Sequence, residues 1–131
     1  MGRKITLIMG ENEYSGMTAS AKEQVEMLQI AAQNSLLPAL SEGGTDMGVV
    51  AVMASLDGMQ LTRLKNLCIG GGNIIRVSDG VPVAENLFQD KIHYWLLLLG
   101  RVLQENIGPF WQLSVQSENG ANAVKMETAA L

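Results

Sequence analysis

Cysteine occurs once, as Cys68, which excludes an intramolecular disulfide framework and a cluster of cysteine ligands for a metal. Its neighbours Leu67 and Ile69 are apolar, so a buried, inert thiol is expected there rather than a nucleophile. Histidine also occurs once, at His93, too few for a multi-histidine metal site. Charge is sparse: 17% of the 131 residues are charged, against about a quarter in an average domain. The nine Lys and Arg are scattered and outnumbered by thirteen Asp and Glu, giving a net charge of −4. That balance argues against nucleic acid, whose phosphates call for clustered cations, and no basic run suits an anionic membrane. The patterns G-x-S-x-G, H-E-x-x-H and C-x-x-C do not occur. Gly70-Gly71-Gly72 is followed by Asn73-Ile74-Ile75, where a phosphate loop needs Lys then Ser or Thr opening a helix, so it reads as a connector. Long apolar runs are missing too. The apolar run within the opening MGRKITLIMGENE is too short for a signal peptide, and Tyr94 to Leu99 is too short to span a bilayer. A cytoplasmic, non-enzymatic protein without cofactor, metal, nucleic acid or membrane partner is therefore expected.

What the chain does have is apolar surface, at 47% of its residues, concentrated towards Leu87 to Trp111. At 3.6 residues per turn, Phe88, Ile92, Trp95, Leu96, Leu99, Val102, Leu103 and Ile107 share one face. Tyr94, Leu97 and Leu98 carry apolar surface onto other faces, and a helix apolar most of the way round must be covered from more than one side. The chain's own helices and hairpin can supply that cover, and a partner can add to it.

Lys4 to Met9 alternates and is rich in β-formers, predicting a short strand ended by Gly10. Glu11 to Met17 reads as a polar loop. Ser20 and Glu23 form an S-x-x-E capping box ahead of a helix from Ala21 to about Ser35, with Val25, Leu28, Ala32 and Leu36 on one side and Glu23 and Glu26 on the solvated side. Pro38 ends it. Gly43-Gly44 marks a loop, and Thr45 or Asp46 can cap Met47 to Leu56. That segment is ambiguous: its valines suit a buried strand, while its length, alanines and methionines favour a buried helix. A further helix runs from about Met59 to Cys68. Ser78-Asp79-Gly80 between Asn73–Val77 and Val81–Val83 predicts a β-hairpin over about 73–84, with Pro82 confining its strand to an edge. A long helix over about 85–107 follows, stopped by Gly108-Pro109. The sum is a mainly α, α+β fold: one compact domain over 1–113, with a mobile polar tail over 114–131.

Two sets of residues are candidates for function. His93 with Asp90 three residues earlier could act as a general base, but a helix histidine beside an acidic residue is far more often merely structural. Met47, Met53 and Met59 could form a soft surface that repacks around apolar partners, although filling core gaps is the more ordinary use of methionine. Together with the side of the last helix bearing Tyr94, Leu97, Leu98 and Arg101, they are the candidate partner and oligomer contacts.

The order of elements resembles the tail assembly chaperones of long-tailed, siphovirus-type bacteriophages. The likeness is carried by Ile5-Thr6-Leu7, Gln24-Val25-Glu26-Met27-Leu28, the hairpin Arg76 to Val83, and the last helix from Phe88 through Tyr94-Trp95 to Leu103-Gln104-Glu105-Asn106-Ile107-Gly108-Pro109-Phe110. It covers roughly residues 4–113 as a pattern of apolar positions and turns. The resemblance implies a homo-oligomer that binds the tape-measure protein, and with it tail-tube subunits, in the host cytoplasm. It would keep the apolar helices of its client soluble until the tube polymerises, and be absent from the mature virion. It also implies that a frameshifted longer form can exist, and it supplies no catalytic residues. Three rivals stand beside it: a structural tail or head–tail joining subunit, an enzyme centred on His93 and Asp90, and a helical adaptor with an unrelated partner.

Overall fold

The computed structural model describes residues 2–41, 44–71 and 73–113, so the tail expected from residue 114 lies outside the described residues. The chain opens with two strands, β1 (Lys4–Met9) and β2 (Asn12–Met17), joined by the two-residue turn Gly10-Glu11. Gly10 sits at φ 59°, the left-handed conformation that tight hairpin turns require and glycine adopts without strain. Four helices follow: α1 (Ala21–Gln33), α2 (Leu37–Leu40), α3 (Asp46–Ala54) and α4 (Gly58–Lys65). A π-helical turn (Asn66–Gly70) extends α4, and the chain then forms β3 (Ile75–Arg76) and β4 (Val81–Pro82). A 3₁₀ turn (Glu85–Phe88) leads into α5 (Ile92–Ile107), and a second one (Gly108–Trp111) follows it. The four strands make one antiparallel sheet in the order β1-β2-β3-β4, with the helices α1 to α4 inserted between its two hairpins.

The fold is α+β and mainly helical, as the sequence implied, with more sheet than expected. Glu11 to Met17 is not a polar loop. Only Tyr14 and the start of the following link are buried there, which hides the strand from a hydrophobicity pattern; a ladder on each side holds β2 in place. The hairpin at 73–84 forms around Val77–Gly80, with Gly80 at φ 71° and an ion pair between Arg76 and Asp79 across the turn. Pro82 lies on the outer strand of the sheet, as its missing N–H requires.

The capping box of α1 is present: the Glu23 N–H donates to Ser20 Oγ and the Ser20 N–H donates to the Glu23 carboxylate. The ambiguous segment Met47 to Leu56 resolves as helix through Ala54, with Thr45 as its N-cap accepting from the Gly48 N–H at 3.0 Å. The last helix begins later than the periodicity suggested. Gln89 is extended and Asp90 takes φ 65°, so the 3₁₀ turn and α5 are separate pieces. Asp is one of the few residues for which that left-handed conformation is cheap.

One hydrophobic core joins the elements, and α5 runs through it. Trp95, Leu98, Leu99, Val102 and Leu103 are at most 2% exposed, enclosed by α1 to α4, the π turn and β1. Each such side chain contributes roughly 1.5–3 kcal/mol by leaving water. Phe88 stacks between Tyr14 and Trp95, with ring centroids 6.0 and 5.7 Å away, and so ties the sheet to α5. Gly100 of α5 packs against Val49 and Met53 of α3. A Cβ there would overlap Val49 Cγ1 and stand 3.3 Å from Met53 Cγ, so only glycine permits the approach.

Candidate partner-binding groove

Helix α1 carries two apolar stripes, and only one reaches the core. Met27, Ile30 and Ala31 are buried, whereas Val25, expected on the packed side, is 57% exposed, Ala32 is exposed and Leu28 half-buried. Leu36 is buried, but beyond the end of the helix. The second stripe is left facing the end of α5. Val25 and Leu28 on one side, with Ile107, Pro109, Phe110 and Leu113 on the other, line an open groove of about 510 Å³. Its walls are the most apolar of the described clefts, and Phe110 and Leu113 remain exposed at its edge. Water gains by leaving such a surface, so the groove suits the apolar face of a helix or strand from elsewhere.

The groove's inner wall is held by Asn106, a buried polar residue that periodicity does not single out. Its Oδ1 accepts from the Ala19 N–H at 2.7 Å and from Gln24 Nε2 at 3.3 Å, and its Nδ2 donates to the Val102 carbonyl at 2.9 Å. One side chain thereby fixes the link between β2 and α1 against the last turn of α5. Arg3 at the rim pairs with Glu105 at 2.9 Å, both half-exposed. A polar residue two positions before the helix-stopping Gly108-Pro109, on an otherwise apolar face, was the one signal in the sequence for this role.

The candidate contact residues separate into three groups. Leu97 and Leu98 are 7% and 0% exposed: the side of α5 expected to be open is covered by the chain's own elements, which correct that expectation. Met53 is likewise buried, against Gly100, so it fills the core. Met47 and Met59 are 83% and 84% exposed, on α3 and α4. Met59 stands beside a cleft between α1 and α4 that the Arg63–Glu26 ion pair bridges. The Arg63 hydrogen bonds hold the Glu26 carboxyl below its usual range. Tyr94 is half-buried, and Arg101 is mostly covered and pairs with Asp46. With Leu97 these three line a crevice along Leu7 to Gly10 at the side of β1.

The acid–base pair suggested by His93 and Asp90 loses its premise. Asp90 lies in the turn before α5 and shares no helical face with His93, whose ring is 4.5 Å from that of Tyr94. Cys68 is fully buried, and burial pushes its thiol up to about 12, which keeps it protonated at neutral pH. Among the described residues no group of acidic, histidine and cysteine side chains is placed to hold a metal ion, and no helix is long and apolar enough to cross a membrane. No protein-family model, curated protein or solved structure matches this chain.

Proposed function

We propose that this protein is a non-enzymatic tail assembly chaperone of a long-tailed bacteriophage, holding the apolar helices of the tape-measure protein until tail-tube polymerisation. The observation that carries the reading is the open groove between α1 and the end of α5, lined by Val25, Leu28, Ile107, Pro109, Phe110 and Leu113. A client helix laid in it would bury an i, i+3, i+4 stripe against those residues. Met47 on α3 and Met59 on α4, both largely exposed, offer further adaptable contacts. Many weak contacts of this kind, multiplied by self-association along an extended client, give retention that the polymerising tube can displace. Absence from the virion and residence in the host cytoplasm follow from the same reading.

The reading is tested with Val25→Ser combined with Phe110→Ser, both at exposed positions whose change the fold should tolerate. Capture of the tape-measure protein on co-expression should fall at least about tenfold, the equivalent of 1.4 kcal/mol, while the cooperative melt is retained. Undiminished capture by a folded double variant would remove the groove from the account. A second reading, a structural tail or head–tail joining subunit, draws on the four-stranded sheet, since such subunits tend to be rich in β-structure. It requires the protein to be present in purified particles.

A further inference from the structure

The two edges of the sheet are unlike. The outer edge at β4 is two residues long and carries Pro82, both devices that discourage further pairing. The outer edge at β1 is six residues long, without proline or bulge, and Ile8 on it is 73% exposed. Its hydrogen-bonding phase is fixed by two bonds. The Thr18 N–H donates to the Arg3 carbonyl at 2.8 Å, and the Val77 N–H donates to the Glu13 carbonyl at 2.8 Å. With Lys4 opposite Met17 and Met9 opposite Asn12, this alternation turns the N–H and C=O of Ile5, Leu7 and Met9 towards β2. Those of Lys4, Thr6 and Ile8 point away from the sheet, and among the described residues none of them has a hydrogen-bond partner.

We infer that this edge pairs with β1 of a second copy, antiparallel, in the register that sets Thr6 opposite Thr6. It is the only symmetric register that places all three outward residues opposite one another, Lys4 facing Ile8 twice and Thr6 facing itself, with two N–H···O bonds in each pair. The side chains suit it. On the solvent face, the Lys4 stem of one copy lies over the exposed Ile8 of the other, directed towards Glu13, which neighbours Ile8 across β2. Lys4 and Glu13 have no ion-pair partner among the described residues, and the twofold supplies one to each. On the helical face, Ile5 comes opposite Leu7, extending the core side of the sheet across the interface. Because the same edge meets itself, pairing closes at a dimer, and the proline on β4 blocks growth into filaments. This inference names one interface for self-association without resting on the chaperone reading: it concerns β1, whereas the client groove is built on α1 and the end of α5.

The test is the oligomeric state of the full chain by sedimentation velocity at high micromolar concentration, with Thr6→Pro and the double variant Thr6→Lys, Ile8→Lys. Thr6→Pro removes an outward N–H and leaves the β1–β2 bonds in place; the lysines set like charges face to face without touching the backbone. The wild type should sediment as a dimer and every folded variant as a monomer. In mild oxidant, Thr6→Cys should cross-link at least about tenfold faster than Ile8→Cys, whose thiols sit about 13 Å apart along the strands in this register. A monomeric wild type, a dimer that survives the folded variants, or faster cross-linking at position 8 would overturn the inference.

Discussion

Gly100→Ala probes the α3–α5 contact on which the core depends, and its cost can be worked out from the packing. In an isolated helix the change would gain roughly 1 kcal/mol of propensity. Here the new methyl has no room, because Val49 Cγ1 occupies its place and Met53 Cγ is 3.3 Å away. Overpacking a closed core costs about 1–3 kcal/mol, so the net loss should be about 0–2 kcal/mol. Val49→Ala alone removes two buried methyls, at roughly 0.8 kcal/mol each plus a cavity term, for a loss of about 2 kcal/mol. In the double variant the added methyl enters the vacated space, with Val49 Cβ 3.8 Å away at ordinary contact. The combined loss should then fall short of the two single losses added together by about 1–2 kcal/mol. Urea unfolding followed by tryptophan fluorescence and far-ultraviolet circular dichroism gives all four stabilities, provided the slopes agree. Gly100→Ala stabilising by about 1 kcal/mol, or additivity within about 0.5 kcal/mol, would show that the helices do not meet there.

Leu98→Ser should lower stability by about 3–5 kcal/mol, since it empties a fully buried site and leaves a hydroxyl in it; a folded variant of near wild-type stability would return Leu98 to the surface. Asn106→Leu keeps the volume but strips the acceptor from the Ala19 N–H, and should cost about 1–3 kcal/mol with faster hydrogen exchange at that amide. Unchanged exchange would refute the bond. The Glu26 carboxyl titrates below its unfolded value because Arg63 hydrogen-bonds it, so its contribution is present above the ordinary carboxylate range and is lost as pH falls through the folded value. Arg63→Gln should move the Glu26 titration, followed by carboxyl carbon NMR, upward towards the ordinary range; an unmoved titration would dismiss the pair.

Local rules carried much of the fold. The Ser20–Glu23 box, the Ser78-Asp79-Gly80 turn and the edge position of Pro82 each depend on a few adjacent residues, so their signals survive in the sequence. The misses arose where neighbours distant in sequence decide. Strand β2, reading NEYSGM, is held by ladders to β1 and β3 rather than by its own propensity. Its sequence signal was the glycine opening a two-residue turn straight after β1. Helical periodicity located an apolar stripe on α1 but not which of two stripes meets the core, because that depends on where α5 lies. The same dependence misplaced Leu97 and Leu98, whose cover comes from the rest of the chain. Part of the groove was therefore visible in the sequence as an excess of apolar positions on α1, while Pro109 in its far wall read only as a helix stop.

The most direct test of the chaperone account is an affinity pull-down of this protein from cells producing the phage, read by mass spectrometry alongside purified particles. The account predicts a very long helical partner in the pull-down and no trace of this protein in the particles. Its presence in particles, with no such partner captured, would contradict the account and favour a structural subunit.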